Sequence, residues 1–294
     1  MSGLFTAPTL QSQKAPSKAI LLEEGGYPAR VARIIDLGLQ PGSEQYPEPK
    51  LKMIVTFELL DEFMTETNED GTPVMIQDPE GDPGEMIPKP LLDKPRWFDF
   101  EFTYNSDGYM GENSHLYKFM RAVDAFEVAP NLEQGIEGHP AKNLVDILGY
   151  PLTVGIIRKT PTKGKNAGVP KNQVSTFSPM KSKERREAKE LVNPTVFFNM
   201  GEPDLAVFNN LPGGESPYAI KNRITSGPAF KESKLFVLLG GTPEAKAPVT
   251  NAATDDQVDE ALKAELEAQR LAREEAAAQA KAAGESGEQP VSPF

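Results

Sequence analysis

The sequence contains no cysteine and only two histidines, His115 and His139. Without cysteine there can be no disulfide, no thiolate metal site and no cysteine nucleophile. Neither histidine has ligand spacing to the other or to acidic residues, so no metal centre is predicted. The loop around Gly164 and Lys165 has Asn166 where a phosphate-binding loop has Ser or Thr. The sequence therefore favours a protein without enzymatic activity, metal or cofactor.

Long apolar runs are also missing. No segment has the length and hydropathy of a membrane-spanning helix, and residues 1–18 contain no apolar stretch typical of a signal peptide. Hydrophobic residues make up only 38% of the chain, whereas proline (27) and glycine (24) are frequent. This composition favours β structure with long loops and a disordered part over a compact helical enzyme. We expect a cytosolic protein with no membrane partner.

The formal net charge is -12, yet basic residues are concentrated in one stretch. The pattern over 150–189 predicts a strand, a lysine-rich loop, a return strand and a basic segment, and we call 158–189 the basic hairpin. With Phe177 beside the loop, it suits a polyanion with exposed bases. The alternative is a solvated hairpin that carries charge for solubility. The cations of this stretch are Arg158, Lys159, Lys163, Lys165, Lys171, Lys181, Lys183, Arg185, Arg186 and Lys189.

Period-two alternation predicts three strands before the hairpin, in 29–40, 51–62 and 96–105. We expect the first two to be half-buried, with one polar face. The third has Phe98, Phe100, Phe102 and Tyr104 on one face, and we interpret this face as core rather than a base-stacking platform.

A helix is predicted over 114–126, capped by Asn113 or Ser114. The element order predicts a mainly β (α+β) fold, namely a five-stranded Greek-key barrel with a helix between strands three and four. Four further segments are read as short strands or turns that extend the same body: 192–200, 204–210, 216–224 and 232–240.

The predicted domain spans 25–240 and follows a flexible arm at 1–24. It contains a proline-rich acidic insertion at 58–93, in which only Lys89 opposes the carboxylates, and we expect a covering or disordered loop. Residues 241–294 are predicted to be a linker, a solvated helix and an acidic disordered tail.

The polar face of the first three strands offers four more candidates for contact with nucleic acid: Arg30, Arg33, Lys52 and Trp97. Barrels of this type bind oligonucleotides across strands two and three. Asp99 and Glu101 share the face of Trp97 and disfavour DNA there. The basic hairpin, with Phe177 as a stacking candidate, therefore carries more of the prediction.

Several segments together resemble the bacteriophage single-stranded DNA-binding proteins with an oligonucleotide/oligosaccharide-binding (OB) fold. These are GGYPARVARIIDLGLQ, LKMIVTFELLDE, NLVDILGYPLTVGIIRK, the Lys/Gly turn and NQVSTFSPM, within 25–180. The resemblance implies a protein of DNA replication, recombination or repair that coats single-stranded DNA without sequence preference. It also implies that the protein acts in the cytoplasm of a bacterial host, and it leaves open whether the protein self-associates.

The C-terminal residues are similar in plan to bacterial single-stranded DNA-binding proteins, whose acidic tails end in Pro-Phe and dock replication proteins. Pro293 and Phe294 occupy these places, but Val291 and Ser292 stand where that family has an acidic cluster. We expect partner contact through this tail, and an ordinary frayed terminus is the alternative. A different class of function also stays open: a virion or assembly protein whose basic hairpin and acidic insertion pair between subunits.

Overall fold

The computed structural model describes residues 17–43, 45–131, 137–164 and 167–242. Most of the predicted N-terminal arm and nearly all of the predicted linker, helix and tail lie outside these ranges. None of the described helices is long and apolar enough to cross a membrane. The strands are β1 (Ser17–Lys18), β2 (Gly25–Gln40), β3 (Lys50–Glu66), β4 (Met75–Gln77), β5 (Met86–Pro88), β6 (Pro90–Tyr104), β7 (Pro151–Lys159), β8 (Lys171–Pro179) and β9 (Val196–Phe198). The helices are α1 (His115–Ala122), α2 (Ser182–Glu187), α3 (Leu205–Asn210), α4 (Ile220–Thr225) and α5 (Lys234–Leu238), with 3-10 turns at Leu144–Ile147 and Phe230–Glu232.

The fold is mainly β with few helices. The five long strands are hydrogen-bonded in the order β8-β7-β2-β3-β6, and every one of these pairings is antiparallel. Strand β1 adds to β3, and β9 runs parallel to β2. The predicted helix is confirmed as α1, between the third and fourth long strands, and the Ser114 hydroxyl caps it by accepting from the Tyr117 N–H.

The sheet is not a closed barrel, which corrects the closed Greek-key prediction. Among the described residues, no backbone ladder joins β8 to β6. Instead, Phe177 of β8 contacts Phe100 and Phe102 of β6, with ring centroids 5.1 and 5.4 Å apart. Helix α1 also contacts both strands. Aromatic side chains and a helix therefore fill the opening where a closed barrel has hydrogen bonds.

Strands β2 and β3 are buried on both faces, so the prediction of a half-buried sheet was wrong. Successive residues of β2 belong to different cores: Ile34 packs in a core with Phe57 and Phe119, and Ile35 packs in a second core with Phe208. The aromatic face of β6 packs against the first core, as predicted. The second core lies under residues 192–240, which we call the C-terminal cover.

The regular structure of the C-terminal cover is mainly short helices, where the sequence predicted short strands or turns. Only β9 is extended, whereas α3, α4 and α5 occupy the other three segments. Side-chain caps start two of these helices. Asp204 accepts from the N–H groups of Ala206 and Val207, and the Ser233 hydroxyl accepts from the Phe236 N–H. Such caps satisfy amide groups that the first helical turn leaves free, and they outweigh a short apolar alternation.

The acidic insertion is ordered rather than a structureless loop. Strand β3 continues to Glu66 and pairs there with the start of β6, so that Thr65 lies opposite Pro90. Between them, β4 and β5 form a separate antiparallel hairpin. We call 67–89 the acidic arm.

Candidate nucleic-acid interface

The basic hairpin is formed by β7 and β8, as predicted. At its outer end Lys159 lies directly opposite Lys171, and both side chains are exposed. Like charges placed opposite each other destabilise an antiparallel pair. Neither lysine forms an ion pair with any described residue. The end of the hairpin is therefore a site of uncompensated positive charge.

Gly155 of β7 lies opposite Thr176 of β8, with little room between them for a side chain. The register shifts between Gly155 and Ile156, and a Cβ on Gly155 would collide with Oγ1 of Thr176. A side chain at position 155 would therefore force the Thr176 hydroxyl to move.

Residues near the N-terminus hold the hairpin close to its outer end. The Arg158 Nε donates to the Leu22 carbonyl at 2.8 Å, and the Arg158 N–H donates to the Glu24 carboxylate at 2.8 Å. The Asn172 side chain bonds both the N–H and the carbonyl of Leu22. Arg158, a predicted DNA contact, therefore also anchors the hairpin.

The remaining predicted cations of the hairpin differ in their surroundings. Lys163, Lys183 and Arg186 are exposed and form no ion pair within the described ranges. Lys181 lies 3.7 Å from Glu184, with 85% of its side chain exposed. Lys165 lies outside the described residues.

Arg185 belongs to a hydrogen-bonded cluster. Its Nη1 donates to Asp124 Oδ2 at 2.7 Å and to the Tyr150 hydroxyl at 2.5 Å, and that hydroxyl donates to Asp124 Oδ2. Burial alone would raise the pKa of Asp124, but these bonds and the charges of Arg185 and Lys142 hold it below its usual value. Burial and the neighbouring carboxylate raise the pKa of Tyr150 to about 12. The cluster joins α2 to the end of α1.

The predicted residues on the outer face of the sheet are engaged within the protein. Arg33 is buried, donates to Thr56 Oγ1 at 2.9 Å, pairs with Asp99 at 3.3 Å and lies over the Trp97 ring. Lys52 pairs with Glu101 at 2.8 Å.

Arg223 of the C-terminal cover pairs with the same Glu101 carboxylate. Burial would raise the pKa of Glu101, but its bonds to Lys52 and Arg223 lower it. These contacts neutralise the cations of this face.

Arg30 links β2 to the last residues of the basic hairpin and to Glu190, which follows it. Its guanidinium donates to the carbonyls of Gly149, Ala188 and Lys189 at 2.7, 3.0 and 2.7 Å and pairs with Glu190. Only 11% of its side chain is exposed. Arg30 therefore has a structural role, because its guanidinium holds these backbone segments together.

Glu58 holds the start of the C-terminal cover against β3. Its carboxylate, 1% exposed, accepts from Trp97 Nε1 at 2.8 Å, from the Val192 N–H at 2.6 Å and from Asn193 Nδ2 at 2.8 Å. Trp97 itself is 38% exposed.

Phe177 is 8% exposed and packs with four phenylalanine rings of the first core.

A groove between α1 and β8 brings Phe177 together with residues that sequence analysis did not select as contacts. It has a volume of about 430 Å³ and is lined by Lys118, Arg121, Ala122, Asp124, Phe126, Val128, Phe177 and Pro179. Lys118 and Arg121 are exposed one turn apart on α1. Cations at this spacing on the polar face of an amphipathic helix were the available signal, but it is the ordinary pattern of a solvated helix.

The predicted tail contacts Pro293 and Phe294 lie outside the described residues. Within the described part of the chain, no group of three or more His, Asp or Glu side chains could hold a metal ion. Comparison with models of known protein families gave no match, and a search of curated proteins found no significant relative.

Proposed function

We propose that this protein binds single-stranded DNA without sequence preference and that the basic hairpin is its principal contact with the phosphates. The observation that carries the proposal is the directly opposed, exposed pair Lys159 and Lys171. A protein tolerates such a locally unfavourable pair most readily where a ligand supplies the missing charge. Backbone phosphates supply that charge at regular spacing.

The strand connectivity supports the same proposal. Five long strands in the order β8-β7-β2-β3-β6, with a helix between the third and fourth, follow an OB-type plan that lacks only the closing pair. We infer an open OB-type barrel. The sequence resemblance further implies a non-enzymatic protein, encoded by a bacteriophage, that takes part in replication, recombination or repair in the bacterial cytoplasm. It also implies that the acidic C-terminal residues contact other replication proteins.

Anisotropy titrations of fluorescein-labelled dT, dA and duplex oligonucleotides with the full chain at two salt concentrations test this function. We expect similar binding of both single strands, weaker binding of duplex and loss of affinity at the higher salt concentration. No binding to either single strand would overturn the proposal.

A second candidate is assembly through contacts between copies of the chain. The acidic arm exposes Glu80, Asp82 and Glu85 together with Met75 and Met86, so it offers both charge and apolar surface to a basic partner. This candidate predicts oligomers in the absence of DNA, and their molar mass, measured by light scattering, should change with the salt concentration. A monomer at every salt concentration would exclude this candidate.

A further inference from the structure

The outer face of β2 and β3, where OB-type barrels usually bind a strand, is largely occupied in this protein. The C-terminal cover packs its apolar residues on Ile35, Leu37 and Ile54. Glu58 fixes the start of the cover, and Arg223 bonds Glu101 on β6. Little of this face is free to receive a polymer.

The cations on the uncovered part of that face are already neutralised. Asp99 and Glu101 are exposed there, and the nearby cations Arg33, Lys52 and Arg223 are already paired with them. A phosphate chain placed there would have to break these pairs or lie against carboxylates.

The opposite situation holds at the α1–β8 groove. Lys118 and Arg121 form one wall, and neither makes an ion pair with a described residue. The one carboxylate in the lining, Asp124, accepts hydrogen bonds from Arg185 and Tyr150, so its charge is compensated. The groove therefore presents net positive charge.

The rest of the groove lining is apolar. Val128 is 38% exposed, and the half-buried ring of Phe126 packs on Tyr117 with centroids 5.0 Å apart. An apolar floor beside two free cations matches one nucleotide, whose base needs a surface to pack on and whose phosphate needs a counter-charge.

Strand β8 connects this groove to the lysine pair. It begins at Lys171, opposite Lys159, and its last residue, Pro179, lines the groove. Its nine residues span about 30 Å. The exposed cations Lys183 and Arg186 of α2 follow immediately after its end.

We propose that single-stranded DNA lies along β8, from the Lys159–Lys171 pair to the α1–β8 groove, and leaves the Trp97 face uncovered. In the groove, a base packs on Phe126 and Val128, and the adjoining phosphates contact Lys118 and Arg121. This path rests on the proposed function.

The test compares two variants of the full chain with equal changes of charge. Lys118→Gln/Arg121→Gln removes the groove cations, and Lys231→Gln/Lys234→Gln removes exposed cations from the C-terminal cover. We expect the groove variant to bind labelled dT oligomers about tenfold more weakly, with a log–log salt slope smaller by about 1.4, since each of two lost phosphate contacts contributes about 0.7. The control variant keeps the affinity and slope of the parent.

The single tryptophan gives a second readout. We expect Trp97 fluorescence to stay unchanged when dT saturates the parent protein. Binding of dT by the parent combined with an unaffected groove variant, or with quenching of Trp97, would overturn the path along β8 while leaving the function intact. Absence of dT binding by the parent would overturn the function and the path together. Thermal unfolding of both variants verifies that they are folded.

Discussion

Lys159 and Lys171 lie directly opposite each other across the antiparallel pair of β7 and β8, and neither has a carboxylate partner among the described residues. Beneath them, Arg158 and Asn172 are held by Leu22. The like-charged outer end of the hairpin is thus held in place by the pair directly next to it. We expect the lysine pair at this end to lower the stability of the free protein and to raise its affinity for DNA.

Replacing the opposed pair, as Lys159→Gln/Lys171→Gln, should stabilise the free protein slightly while weakening DNA binding. Removing the repulsion raises the free energy of unfolding by about 0.5 kcal/mol or less. Urea unfolding measures this change, and anisotropy with dT measures the loss of affinity. A variant that is less stable than the parent and binds dT equally well would contradict this account of the pair.

The tight packing of Thr176 against Gly155 can be tested by adding a methyl group. Gly155→Ala should destabilise the protein by about 1–3 kcal/mol, because the new Cβ overlaps the Thr176 hydroxyl. Thr176→Ala removes that hydroxyl, so the double variant should recover part of the loss. Strictly additive effects in this double-mutant cycle would show that the two residues do not interact.

Glu58 provides a test of how the C-terminal cover is attached. Glu58→Gln keeps the shape of the side chain but places amide hydrogens against hydrogen-bond donors. We expect it to lower the free energy of unfolding by about 1–3 kcal/mol. Trp97 emission should shift to the red as its bond is lost. The control is Asp61→Asn, which lies on the same strand as Glu58. It breaks an exposed ion pair with Lys189 and should lower the free energy of unfolding only slightly. Equal losses in the two variants would argue against the buried attachment.

The Asp124 cluster predicts a specific dependence on pH. The pKa of Asp124 is lower in the folded protein than its unfolded value of about 3.9, so its stabilising contribution is complete above that value. The contribution is lost as the pH falls through the lower, folded pKa. At pH 7, Asp124→Asn should reduce stability by about 1 kcal/mol, given the partial exposure of the pair.

The difference between Asp124→Asn and the parent should then shrink below about pH 4. Thermal unfolding from pH 7 to pH 2.5 measures it, with Tyr150→Phe as a comparison that keeps the Asp124–Arg185 pair. A difference that is constant over this range would mean that the carboxylate does not titrate as described.

Much of the local structure could be predicted because its signals are local. The alternation in β3 and β6, the cap at Ser114 and the lysine-rich turn between β7 and β8 each involve residues close in sequence. Physical rules for strands, caps and hairpins act over such short distances.

The parts that could not be predicted depend on contacts between distant residues. Glu58 meets Val192 across 134 positions, and this contact covers a face that alternation alone marks as polar. Arg33 looks like a surface cation in the sequence, yet it is buried because Thr56 and Asp99 receive its hydrogen bonds. The groove was missed because Lys118 and Arg121 acquire a partner wall only when β8 packs beside α1.

The most direct test of the central claim is the salt dependence of binding to a labelled dT oligomer by the parent chain and by Lys159→Gln/Lys171→Gln. We predict that the parent loses affinity steeply with salt and that the log–log slope of the variant is smaller by about 1.4, the contribution of two phosphate contacts. Equal slopes for the two proteins would contradict the claim that this lysine pair binds the phosphates of single-stranded DNA.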